Sequence, residues 1–227
     1  MIFRRAQRAL VLVMGLALYA QTQTQSPASS PAKPMAKPAA SNTVLDPGTI
    51  TNGVYRNKTL ALSCKIPPGW VLRTDELNVQ EEKKEEKQEK EKDGPTPASS
   101  SGAKVLLAAF SRPPEARAED VNSSILIAAE SASAYPGLKD AAQYFFPLTE
   151  VAKAQGFTPD EDPYDIALGA KTLVRGDFHK DVGTRVMHQS TLAMLAHGYA
   201  ISVTVIGGTE DEVEDLIDGL NFTPSGK

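Results

Sequence analysis

The stretch from Gly53 to Trp70 does most to restrict the fold. Within it Leu60, Leu62, Cys64 and Ile66 alternate with Ala61, Ser63 and Lys65. A period of two puts one face of a strand in a core and the other toward water. A first strand runs through Tyr55, and Asn57-Lys58 sits where a tight hairpin turn belongs. Pro67-Pro68-Gly69 cannot extend a ladder, so the second strand stops there, with Trp70 just beyond.

Upstream of this hairpin the chain reads as an export leader and a tether. Arg4, Arg5 and Arg8 precede an apolar run of about twelve residues, Ala9 to Ala20, which is short for a bilayer span. Residues 1–20 are expected to be a signal peptide with Ala20 at the cleavage point, although Leu18 departs from the small-residue preference at −3. An uncleaved N-terminal anchor is the alternative. No cysteine follows the apolar run, so there is no lipoprotein attachment point. The chain is therefore expected to be exported, periplasmic or extracellular, with no membrane span after cleavage. Residues 21–48 form a tether rich in Pro, Ala, Ser and Gln, too poor in large apolar groups to offset the entropy of ordering.

What remains, residues 49–223, is expected to form a single domain. The formal net charge is −4, and removing a leader with three arginines and no acid leaves about −7. That balance, without a basic stripe, argues against nucleic acid and against docking on anionic lipid. Cys64 is the only cysteine, so no internal disulfide braces the domain.

A charged, low-complexity insertion occupies about 75–102. Asp75 to Asp93 holds nine acids and five lysines, with no apolar stripe after Val79. Some pairs suit a helix, as Glu86 with Lys90, and others repel, as Glu82 with Glu86. The run is expected to be a solvated insertion, helical or disordered. Val105 to Phe110 and Ser124 to Ala129 read as interior strands. Leu138, Ala141, Ala142, Phe145 and Phe146 follow helical spacing after Gly137, and Pro147 predicts a kink or a second helix from Leu148 to Gln155. Strands are expected at Ala170–Phe178, Thr184–Leu195 and Tyr199–Ile206, with turns at His179–Gly183 and His197-Gly198. Thr209 and Glu212 form a capping box, and Val213, Leu216, Ile217 and Leu220 make the stripe of a last helix. Hairpins dominate and no βαβ series occurs. The fold class is α+β: a central antiparallel sheet with helices packed on it.

Particular residues add a resemblance. Tyr55-Arg56-Asn57 precedes Leu60-x-Leu62, and Ile66-Pro67-x-Gly69-Trp70 follows. Later come Leu168-Gly169-Ala170 before Leu173-Val174-Arg175, then Gly198-Tyr199, then Leu220-x-Phe222. With the element order, these resemble the PsbP-like family, which includes an extrinsic subunit of photosystem II and shares its architecture with a Ran-binding nuclear-transport protein. The resemblance spans about residues 50 to 223. It implies an α/β/α sandwich and a binding or assembly role without catalytic residues. The Lys/Glu insertion after Trp70 departs from the family.

Candidate chemistry is sparse. Strand parity buries Cys64, where a thiol behaves as a small hydrophobe. His179, His188 and His197 are nine residues apart, unlike the close pairs of metal sites, so no metal site is expected. Parity places His188 with Val186, Ser190 and Leu192, pointing inward, and Arg175 with Asp177 and Lys171 on an exposed polar face; the two are expected on different faces. Gly169-Ala170-Lys171-Thr172 misses both glycines of a phosphate loop, and no hydrolase elbow or dinucleotide fingerprint is present, so no cofactor is expected. The acid pairs Glu161-Asp162 and Asp177-Asp181 lack a partnering base. Asn57-Lys58-Thr59 and Asn122-Ser123-Ser124 match short glycosylation sequons that chance supplies readily.

No catalytic constellation emerges, so no enzyme is expected. The expectation is an exported, non-catalytic binding or assembly module of the cell envelope, with a protein partner or a small hydrophobic ligand. Trp70, Arg175, Asp177 and His188 are the candidate contacts, Trp70 being first a core plug and second a ligand-stacking group. A hydrolase with a site around Arg175, His188 or the loop acids is one alternative. A structural envelope protein acting through its charged insertion is the other.

Overall fold

The computed structural model describes residues 45–91, 103–116 and 120–224. The leader at 1–20, nearly all of the tether and the end of the insertion lie outside the described residues. In chain order the elements are β1 (Thr49–Thr51), β2 (Val54–Asn57), β3 (Leu62–Lys65), β4 (Val71–Leu72), α1 (Thr74–Glu91), β5 (Lys104–Phe110) and β6 (Ser124–Ser131). A short 3-10 turn, Ala132–Ala134, leads to α2 (Ala141–Ala154). Then follow β7 (Thr158–Pro159), β8 (Tyr164–Leu168), β9 (Lys171–Val182), β10 (Arg185–Ala196), β11 (Tyr199–Gly207), α3 (Glu210–Asp218) and β12 (Leu220–Phe222).

These elements form two antiparallel sheets with three helices packed on them, an α+β fold as expected. Eight strands make the large sheet, ordered β4-β5-β6-β11-β10-β9-β7 with β8 also on β9; the small sheet is β1-β2-β3-β12. One face of the large sheet, carrying Leu173, Leu192, Val203 and Ile127, packs against the small sheet and α3 to make the main core. The opposite face takes α2, whose Tyr144 and Phe145 bury against Val174, Ala193 and Ala200. Gly176 lies under Phe145: a Cβ there would stand 2.5 Å from the ring, so only glycine lets the helix sit this close.

The residues that carry the family resemblance act as joints. Tyr55 Oη donates to the Pro47 carbonyl at 3.1 Å, and Asn57 Nδ2 donates to the Asp46 carbonyl at 2.6 Å. Asn57 Oδ1 accepts from the Leu60 amide at 2.9 Å, closing the hairpin turn. With its amide so committed and its side chain buried, Asn57 is no glycan acceptor in the folded chain. Leu45 belongs to the core as well. At the other motif, the Ala170 amide donates to the Phe222 carbonyl at 2.8 Å and Lys171 Nζ reaches the Leu60 carbonyl at 3.1 Å. Burial lowers the Lys171 pKa.

Helix α1 closes a sheet edge. Among the described residues, β5 has no neighbouring strand on its outer side beyond the two residues of β4. Asn78 replaces one: its Nδ2 donates to the Val105 carbonyl and its Oδ1 accepts from the Val105 amide, both at 2.9 Å. Thr74 Oγ1 accepts from the Ala108 amide at 3.0 Å. The first half of the expected insertion is therefore an anchored helix.

Three expectations are corrected. Helix α2 runs through Pro147 without splitting, with Asp140 as its N-cap. The carbonyl that loses its partner to Pro147 belongs to Gln143, an exposed residue, so water can satisfy it. The β9–β10 turn is only Gly183-Thr184, with Gly183 at φ 64°, so β9 continues through His179 to Val182. Leu220 leaves the helix at Gly219 and enters β12.

Candidate functional site

Two clefts bring the candidate residues into view. The first is apolar, about 690 Å³, and lies between the small sheet, the Pro67–Trp70 turn and the end of α3. Hairpin β2–β3 supplies Val54 and Ile66, Pro67-Pro68 forms one wall, and Leu216 of α3 closes the floor. Pro67-Pro68-Gly69 terminates β3 and turns the chain, with Gly69 at φ 84°, so that Trp70 returns against the core. Trp70 is half-buried: it packs on the main core and also lines the cleft. One ring therefore touches both the core and the cleft. At the rim, Ile50 and Leu72 are 42% and 44% exposed although both are large and apolar. They also border a neighbouring cleft of about 500 Å³ beside α1.

The second cleft is polar, about 320 Å³, between β9, β10 and α3. It contains Arg175, Asp177 and His188 together, against the expectation that Arg175 and His188 face opposite ways. The reason is register. In the antiparallel pair Arg175 lies opposite Leu192, Asp177 opposite Ser190 and His179 opposite His188, and directly opposed residues share a face. Both faces of β9 are covered, so the polar set belongs to the same face as core residue Leu173.

Around Arg175 the polar groups satisfy one another. Arg175 Nε donates to Asp177 Oδ1 at 2.9 Å, its Nη1 to Glu214 at 3.1 Å, and its Nη2 to Glu214 and to Ser190 Oγ, the latter at 3.0 Å. Burial pulls the guanidinium down, but the hydrogen bonds and charges of Glu214 and Asp177 outweigh it and hold the pKa above its ordinary value. Ser190 donates to Asp177, and Tyr164 Oη donates to the same carboxylate at 2.8 Å. Burial, then that hydrogen bond, pushes the Tyr164 phenol up to about 12. Arg175 thus pins α3 to the sheet, with each of its three nitrogens engaged.

Cys64 is fully buried, and burial raises its thiol to about 12, so it is no nucleophile at neutral pH. Among the described residues no group of three or more His, Cys, Asp or Glu side chains is placed to hold a metal, and no helix is long and apolar enough to cross a membrane. The rim residues Ile50 and Leu72 escaped sequence reasoning because β1 and β4 are only three and two residues long.

Known proteins resemble the chain only distantly. No family model matches it, and no curated protein does. Among solved structures, a Pseudomonas aeruginosa protein of unknown function, PA94, described as a putative regulator, aligns over 44% of this chain and 68% of its own at 18% identity and a TM-score of 0.32. LpqN, involved in cell envelope biogenesis of Mycobacterium tuberculosis, aligns over 72% of this chain and 83% of its own at 12% identity and a TM-score of 0.36. A Bacteroides thetaiotaomicron protein aligns over 73% of this chain and 46% of its own at 13% identity and a TM-score of 0.35.

Proposed function

We propose that the chain is an exported, non-catalytic binding module of the cell envelope, PsbP-like in architecture, that holds a small hydrophobic ligand in the cleft beside Trp70. One observation carries this reading. The cleft is concave, of the size that encloses a small ligand, and its mouth is apolar where a monomer gains nothing from an apolar mouth. The export part of the reading rests on the leader sequence. The non-catalytic part rests on the occupied donors of Arg175 and the buried thiol of Cys64, the two groups with most chemical capacity.

Trp70 supplies its own probe, being the only tryptophan in the chain. Energy transfer from Trp70 to cis-parinaric acid, a fluorescent fatty acid, is expected to saturate on titration. Leu72→Glu should abolish the transfer while leaving the melting temperature unchanged, since Leu72 stands at the rim. Absence of transfer in the unaltered chain, or equal transfer in Leu72→Glu, would remove this cleft as the site.

A further inference from the structure

The antiparallel register of β9 and β10 creates a juxtaposition that neither the polar cleft's ion pairs nor the apolar cleft employs. His179 and His188 are direct partners across the hairpin. Their spacing of nine residues, unsuited to a metal on one strand or helix, becomes a face-to-face pair once the turn is the two residues Gly183-Thr184. Opposed side chains on one face have Cβ atoms about 5 Å apart, within reach of a shared ion about 2 Å from each ring nitrogen.

Each ring has a carboxylate on its Nδ1 side. His179 Nδ1 is hydrogen-bonded to Asp160, on the turn after β7. His188 Nδ1 faces Glu210, the first residue of α3, at 3.8 Å. A carboxylate on Nδ1 is the usual second partner of a metal-bound imidazole and leaves Nε2 as the ligating nitrogen; Asp160 takes that place at His179, and Glu210 lies within ion-pair reach of His188. On the next strand His188 pairs with Gly207, where Val213 and Glu212 of α3 occupy the place of a side chain. The surroundings are acidic from every side. Asp177 and Asp181 stand two residues either way on β9, Glu161 follows Asp160, and Asp211 and Glu214 come from α3. Arg175 is the one strong cation in that cleft, and its charge is spent on Asp177 and Glu214. Such a field draws cations toward the cleft.

We propose that His179 and His188 form a two-imidazole chelate for a divalent transition-metal ion of the zinc class, with Asp160 and Glu210 as orienting partners and water completing the open coordination. Two imidazoles and an acidic surround suit Zn2+ and its neighbours over Ca2+ or Mg2+, which prefer oxygen alone. The site is independent of the apolar cleft, so each stands or falls by its own test.

The experiment is calorimetric titration of the untagged full chain with zinc chloride. The expected result is saturable binding of one ion per chain. His179→Gln and His188→Gln should each weaken it about tenfold or more, because each removes half of a chelate. His197→Gln, altering the remaining histidine, should leave it unchanged. Absence of saturable binding, or equal binding by the His179 and His188 variants, overturns the proposal. Melting curves in EDTA check that the variants fold. A second reading needs no substitution: in 15N spectra of the histidine rings, zinc should move the Nε2 signals of His179 and His188. Movement of His197 alone, or of none, overturns the proposal equally.

Discussion

Gly169 and Gly198 both sit at turns with positive φ, 58° and 82°, yet their surroundings differ. A Cβ on Gly169 would stand 2.4 Å from the Phe222 carbonyl oxygen, whereas one on Gly198 would meet nothing within 4 Å. Gly198→Ala is expected to cost about 1 kcal/mol, the left-handed penalty alone. Gly169→Ala should cost roughly 2 kcal/mol more, because backbone must move in the joint between the sheets. Urea denaturation of the two variants measures the difference. Both glycines stood out in the sequence; only the structure separates them, since the partner of Gly169 lies 53 positions away in β12. Strand parity succeeded at Cys64, where one face is wet, and failed at Arg175, where both faces are covered. A polar residue on a doubly covered strand leaves no periodic trace of the element above it.

Helix α2 shows how a local rule yields to its surroundings. Proline inside a helix removes one hydrogen bond and crowds the preceding turn. The flanking residues nevertheless hold the helix together: Tyr144 Oη donates to Glu130 at 2.7 Å, Tyr135 donates to the same carboxylate, and Phe145 fills the space over Gly176. Pro147→Ala is therefore expected to raise stability by about 1–3 kcal/mol, restoring a bond to the Gln143 carbonyl in a helix that already runs unbroken through this position. A shift in the urea midpoint with unchanged slope is the measurement; a fall in stability would show that the proline ring itself packs. Long elements were legible: β5, β6, β9, β10, β11 and α3 all announce themselves by alternation, apolar runs or caps. The short strands β1, β4, β7 and β12 did not, because two or three residues cannot display a period. Their existence depends on neighbours.

At the scale of the molecule, the missing short strands hid the second sheet, and with it the rim of the apolar cleft. The sheet's position also sets how the fold responds to alkali. Cys64 and Tyr55 lie between the sheets in the main core, and burial raises each to about 12, from 9.0 and 10.0 respectively. For both groups the folded chain holds its proton more tightly than the unfolded chain. Their contribution is complete below pH 9 and is lost as pH climbs toward 12. Unfolding free energy should therefore fall by a few kcal/mol, to order of magnitude, between pH 9 and pH 11. In Cys64→Ala the decline should begin about one pH unit later, when the raised tyrosines Tyr55, Tyr135, Tyr144 and Tyr164 are left to respond. Denaturation curves at stepped pH test this, and an unchanged onset in the variant would assign the effect elsewhere.

The latch at Asn78 has a mechanical consequence. Strands joined along their length resist shear because many bonds must break at once. Past the two residues of β4 and the Arg73 amide, the outer edge of β5 is held by one side-chain amide and one hydroxyl from a helix, grips that a peeling force meets one after the other. Once Asn78 lets go, the Val105 amide and carbonyl point outward as an open rung. The lysine- and glutamate-rich helix, which in sequence looks expendable, is thus a hasp on a strand of which β4 guards only the last two outer positions.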